Sequence, residues 1–186
     1  MYADAFCANR HFAFMLSGVG MDARVAARFA NSRRRGFFTY MTETFREFFL
    51  AKTHHFRICI DQFEFETDAY FVSVANGNQF GNNVTIAPLA TMDDGRLDVV
   101  VVQQMPKLFL FGALLRQLKA TNYQPLGRGK PPKGTLLYFK GRDITIYNPT
   151  KAPLHVDGDP EETAEKIAFH VRPGTIRLLV PLSQVQ

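Results

Sequence analysis

A mainly β chain, its strands antiparallel and flanked by a few helices, is the fold class this sequence predicts. Three observations carry that expectation. From Phe56 onward the apolar side chains alternate at period two or gather in short runs, as half-buried and fully buried strands require. Those runs are separated by glycine-, asparagine- and aspartate-rich turn signals, NGNQFGNN, MDDG and DGD among them. Helical spacing is confined to the first third and to one later segment. The chain has 186 residues and 46% hydrophobic content, enough for one core. Neither a repeat nor a long polar gap divides it, so a single domain over residues 1–186 is expected.

The elements run in order along the chain. HFAFMLS, residues 11 to 17, reads as a strand. Gly18 and Gly20 in SGVGMD permit a tight turn, and Asp22 is placed to cap the next segment. Val25, Ala26, Phe29 and Ala30 recur at helical spacing between Asp22 and Arg35, and Gly36 ends the run. A second helix carries Phe37, Met41, Phe45, Phe48 and Phe49 on one broad face, with His54 and His55 at its negative dipole end. Phe56, Ile58 and Ile60 then alternate, while Phe63 and Phe65 alternate in the opposite phase, which requires a turn or bulge near Asp61 and Gln62.

Further strands are expected at Ala69 to Ala75, Thr85 to Ala87 and Leu97 to Gln103. Pro106 opens a helix through Ala120, with Leu108, Phe109, Leu114, Leu115 and Leu118 as its apolar face. Residues 121 to 134, TNYQPLGRGKPPKG, form a basic loop rich in proline and glycine. Four more strands are expected at Thr135 to Lys140, Asp143 to Tyr147, Lys166 to Val171 and Thr175 to Val180.

Composition narrows the function. A net charge of +5 favours anionic partners: a phosphorylated ligand, an acidic membrane surface or nucleic acid. Nucleic acid ranks last, because no ladder of stacking aromatics accompanies Arg33 to Arg35 or Arg128, Lys130 and Lys133. The two cysteines, Cys7 and Cys59, form no close-spaced metal pair and fit a reducing compartment. No apolar run approaches the roughly 20 residues that span a bilayer, and the start lacks the order of a secretory signal. A cytoplasmic protein is the expectation. GVG alone is too little for a nucleotide-binding loop, since neither full glycine pattern occurs.

Two acidic turns carry the candidate chemistry. Asp93, Asp94 and Asp98 surround Gly95, and such a turn is either a hard-cation site for magnesium or calcium or an ordinary Asx turn. Asp157 and Asp159 flank Gly158 directly after Leu154, His155 and Val156. A strand-end aspartate can take a proton from an alcohol, and two of them can share a cation. The plain alternative is a hairpin turn with His155 packed against the sheet.

The stretch VANGNQFGNNVTIAPLATMDDGRLDVVVV resembles the diacylglycerol kinase-like lipid kinases, which include bacterial diacylglycerol kinases and the sphingosine and ceramide kinases. The matching positions are Asn76, Gly77, Phe80, Gly81, Pro88, Ala90, Asp93, Asp94, Gly95, Leu97 and Asp98. LHVDGDP and a final IRLLVP strand continue the order, and FMLSGVGMDARV resembles the entry into the same domain. The resemblance implies a two-layer antiparallel β-sandwich with a few flanking helices, the C-terminal half of a two-domain kinase. The N-terminal α/β half, with its GGDGT-type loop for ATP, is absent from this sequence.

The resemblance further implies residue roles. Asp94 would hold a structural magnesium together with the carbonyls of Thr91 and Arg96. Asp157 would be the general base on a lipid hydroxyl. Asp159 stands where the family carries glutamate, one methylene longer, and Asn82 replaces the second glycine of a pair. The activity implied is ATP-dependent transfer of a γ-phosphoryl group to diacylglycerol or a related lipid, with Mg2+ as cofactor and an isolated chain inactive without its nucleotide half. The partners implied are a membrane lipid, the missing domain and an anionic membrane face; whether the bared surface forms a homodimer stays open. The 18 phenylalanines either line an acyl cleft or fill the core. A non-catalytic lipid- or protein-binding module is the other reading.

Overall fold

In the computed structural model, residues 1–31, 50–78, 85–106 and 131–179 are described. Eleven strands and one helix occupy them: β1 (Tyr2–Ala8), β2 (His11–Ala13), β3 (Leu16–Gly20), α1 (Met21–Asn31), β4 (His54–Ile60), β5 (Phe63–Ala75), β6 (Leu97–Gln103), β7 (Leu136–Gly141), β8 (Asp143–Tyr147), β9 (Leu154–Val156), β10 (Asp159–Glu161) and β11 (Lys166–Arg177). Every pairing is antiparallel. The strands form one sheet in the order β10-β9-β3-β5-β4-β8-β11-β1-β2, with β6 joining β5 to β7.

The sheet curls over its own core. Leu154 and Val156 from β9, near one end of the order, share an apolar cluster with Phe6 from β1 and Phe169 from β11, near the other. This is the mainly β sandwich that the strand pattern and the resemblance led us to expect. A second cluster lies on the opposite face of β6, so that Val99 and Val101 point into the first while Val100 and Val102 point into the second. All seven residues of β6 are buried, which is why LDVVVVQ reads as a continuous apolar run and not as an alternation.

Several expectations are corrected. HFAFMLS is two strands, with a bend at Phe14 and Met15 between β2 and β3. Gly18 and Gly20 make no turn; both lie inside β3. A Cβ on Gly18 would come within 2.6 Å of His155 Nε2 and closer still to the Asp22 carboxyl, so the glycine is there to admit two side chains. His54 and His55 open β4 instead of ending a helix. Phe63–Ala75 is a single strand whose change of phase is a two-residue hairpin: Ile60 pairs with Phe63 around Asp61, whose φ of 51° suits the turn.

Of Thr85 to Ala87, Thr85 alone makes a bridge. Lys166–Arg177 is likewise one strand, bulged where Pro173 and Gly174 interrupt the pattern. β1, β9 and β10 are additions to the expected strands. The second helix, the helix beyond Pro106, Asn82, Arg33 to Arg35, Arg128 and Lys130 lie outside the described residues.

Candidate active site

Asp157 and Gly158 form the two-residue turn between β9 and β10, with φ of 49° and 92°. Left-handed backbone at both positions is what a tight hairpin needs, and aspartate followed by glycine supplies it at little cost. The bend between β2 and β3 lies against this turn. The Asp157 carboxylate accepts three backbone N–H groups there, from Phe14 at 2.8 Å, Met15 at 2.9 Å and Leu16 at 3.0 Å. The Asp157 N–H donates to Leu16 O at 2.8 Å. Asp157 is therefore a clamp that joins two turns, and most of its acceptor capacity is taken.

Asp159, two residues on, is exposed, and its carboxylate makes no hydrogen bond or ion pair among the described residues. Beside the clamp stand Phe12 and Phe14, 46% and 45% exposed, their rings edge to face at 5.1 Å. The Asp157 carboxylate thus lies beside an exposed aromatic edge. Below the turn, His155 is buried, its Nδ1 accepting from the Gly158 N–H at 3.2 Å and its Nε2 3.6 Å from Asp22 Oδ2. Ser17 donates to His155 O at 2.6 Å. The packing alternative for His155 is the one the structure bears out. A cavity of about 790 Å³, lined in part by Phe63, Phe65 and Asp68, lies elsewhere on the sheet and touches neither aspartate.

The other acidic turn is built from different neighbours. Asp94 Oδ2 meets the Lys140 ammonium at 2.5 Å, and Oδ1 accepts the Arg96 N–H at 3.0 Å. Burial pushes the Asp94 carboxyl up, but Lys140, the Thr91 side chain and the Arg96 N–H together leave it below the usual carboxylate range. Asp98 is fully buried opposite Lys140, accepts the Tyr138 hydroxyl at 2.5 Å and lies 3.6 Å from Lys140 Nζ. Burial raises it to about 6 in spite of those partners. Tyr138 is pushed up by its burial and by Asp98, and stays a phenol.

A magnesium ion at Asp94 requires lone pairs converging on one point. Thr91, Arg96 and Lys140 instead bring donors to this carboxylate. Both oxygens of the Asp94 carboxylate are thus engaged by donors in this arrangement. Among the described residues no group of three or more histidine, cysteine, aspartate or glutamate side chains is placed to hold one.

Two residues, Asn76 and Asp4, join the turns. Asn76, fully buried at the end of β5, donates to Phe14 O and to Asp4 O, both at 2.8 Å. Asp4 in turn accepts the Gly95 N–H at 2.6 Å and the Gly174 N–H at 2.8 Å. The bend that carries the Asp157 clamp and the turn that carries Asp94 are thereby fixed to one frame. Asparagine before glycine is a turn signal, but here its amide acts across the fold, which spacing alone does not reveal.

Residues 16–180 match the profile of the YegS C-terminal NAD kinase beta sandwich-like domain. The chain is 27% identical over 130 residues to a Shewanella frigidimarina protein named "Probable lipid kinase YegS-like", covering 70% of this chain and 39% of that protein. It is 27% identical over 126 residues to "Probable lipid kinase YegS" of Salmonella heidelberg, covering 67% and 37%. The fold matches the crystal structure of a diacylglycerol kinase from Bacillus anthracis with a TM-score of 0.65 at 18% identity, covering 99% of this chain and 54% of that one. The chain thus spans about two fifths of the length of these curated relatives.

Proposed function

Because the chain belongs to the YegS C-terminal NAD kinase beta sandwich-like domain family, we propose that it is the lipid-facing half of an ATP-dependent lipid kinase. The reaction is transfer of the γ-phosphoryl group to a hydroxyl of diacylglycerol or a related lipid. The relatives' names support the kinase class. The nucleotide would be held mainly by an α/β half carrying a GGDGT-type loop, which these 186 residues do not contain.

The observation that carries a site is the contrast between the two aspartates of DGD. Asp157 is committed to three amides, whereas Asp159 is exposed with its lone pairs available. We assign Asp159 as the base and Asp157 as the residue that positions it. The lipid hydroxyl oxygen attacks the γ-phosphorus, its proton passes to Asp159, and the β–γ bridging bond breaks to leave ADP. Magnesium bound with the nucleotide supplies neutralisation of phosphate charge. The shorter aspartate in place of glutamate asks the substrate to approach more closely. Phe12 and Phe14 offer an exposed apolar edge for the lipid beside the Asp157 turn.

A lipid substrate places the site at a membrane face, and the net charge of +5 suits an anionic one. Among the described residues no helix is long and apolar enough to cross a membrane. The reading is tested by ATP-dependent phosphorylation of a mixed lipid extract, with this chain alone and joined to its upstream coding region. Activity in the longer protein, lost in Asp159→Asn, is the expected result. Activity in neither would overturn the reading and favour a non-catalytic lipid- or protein-binding module.

A further inference from the structure

We propose that the ammonium of Lys140 is the resident cation of the acidic turn, so that the turn keeps its shape without any divalent ion. This rests on contacts among the described residues and stands apart from the kinase reading. Three oxygens from three residues converge on Lys140 Nζ: Asp94 Oδ2 at 2.5 Å, Leu89 O at 3.2 Å and Asp98 Oδ2 at 3.6 Å. The Lys140 side chain is 18% exposed and that of Asp98 not at all, so the charge sits inside the protein.

The placement results from strand register. Lys140 on β7 pairs directly with Asp98 on β6, and Tyr138, two residues earlier, projects from the same face. Tyr138 OH accepts the Leu89 N–H at 3.2 Å while Lys140 donates to the Leu89 carbonyl. Both main-chain groups of Leu89 are thus gripped by β7, and the segment leading to Asp94 hangs from that grip. Remove the ammonium, and Asp94 faces the buried Asp98 with only neutral donors between them. Asp98 Oδ2 already lacks a hydrogen bond and has only the ammonium for compensation.

A magnesium ion needs several oxygens at about 2.0–2.1 Å in near-octahedral array. To bind Asp94 Oδ2 it would have to displace the ammonium that already holds that oxygen. Lysine is a compact point charge with three rotatable donors, which suits three oxygens from separate chain segments better than a planar guanidinium would. The chain has therefore brought inside, as a side chain, a charge that a turn of this composition otherwise takes from solution.

The test uses the 186-residue chain. Thermal unfolding is followed in EDTA, in millimolar magnesium or calcium, and in sodium chloride of matched ionic strength, and Mn2+ binding is read from water-proton relaxation. The wild type is expected to show one midpoint in all three media and no Mn2+ bound at the turn. Lys140→Met, which keeps length and loses charge, is expected to lower the midpoint and to regain part of the loss in magnesium or calcium. Stoichiometric Mn2+ binding by the wild type, abolished by Asp94→Asn, would overturn the inference. So would a Lys140→Met midpoint equal to that of the wild type. Should Lys140→Met fail to fold, the Mn2+ titration of the wild type decides alone.

Discussion

Replacing Asp157 by asparagine separates a clamp from a base. Asparagine tolerates left-handed backbone at least as well as aspartate, so a φ of 49° at this position carries no new strain. What changes is the set of acceptors. One carboxylate oxygen takes the Met15 and Leu16 amides and the other takes Phe14. An asparagine keeps one oxygen and turns an NH2 toward the remaining N–H. Its best orientation saves the Met15 and Leu16 bonds, now without charge, and opposes the Phe14 donor.

Hydrogen bonds to a charged group contribute about 1.5–3 kcal/mol and neutral ones about half that. The turn is exposed, so the low end applies: one bond is lost and two are halved, in total about 3 kcal/mol. For a chain of this size that lowers the thermal midpoint by about 6–12 °C. Asp159→Asn, at an exposed position without partners, should change stability by less than about 0.5 kcal/mol. Differential scanning calorimetry on both variants measures the contrast, and kcat in the longer protein measures the chemistry. Equal midpoints for the wild type and Asp157→Asn would refute the clamp. If that variant were also inactive while Asp159→Asn was active, Asp157 would be the base.

Burial raises Asp98 to about 6, so between pH 4 and pH 6 the folded chain holds a proton there that the unfolded chain has released. Stability from this group is therefore greatest at the acid end and falls by about 1–3 kcal/mol as pH rises through that window. Asp94, held below the usual range by Lys140, gives the opposite slope at lower pH. Comparing urea midpoints of the wild type and Asp98→Asn from pH 4 to pH 7 isolates the first effect, and parallel curves would refute it. Gly18→Ala should cost about 1–3 kcal/mol, because its methyl enters space held by His155 and Asp22. Gly158→Ala meets no atom within 4 Å and should cost only the about 1–2 kcal/mol of left-handed backbone, so urea unfolding should rank Gly18→Ala at least as severe.

Much of this fold is legible in the sequence because most strands announce themselves by period, and both acidic turns by the aspartate–glycine pair. β1 is hidden for a physical reason. YADAFCA is buried from Ala3 to Phe6 without alternation, and the small side chains carry no strand signal. Its evidence is its partner β11, some 170 residues away, which no local window contains. Gly18 reads as a turn because glycine permits one; in the fold it yields room to Asp22 and His155, a demand visible only once β9 lies beside β3. Pro173 and Gly174 look like a break between strands, yet Asp4 caps the bulge and the strand continues. Lys140 is ordinary by composition and gains its role from a register that pairs it with Asp98.

Asp4 also bears on the order of events in folding. It closes one contact with Gly95 across 91 residues and another with Gly174 across 170. The entropy of closing such loops is met only after intervening strands have docked, so contacts of this span arrive after the local hairpins. The β4–β5 and β9–β10 hairpins, each closed by two residues, are fit to form early. The Asp94 turn is a latecomer. Until residue 4 docks beside it, the turn lacks its Gly95 contact and is held from β7 alone.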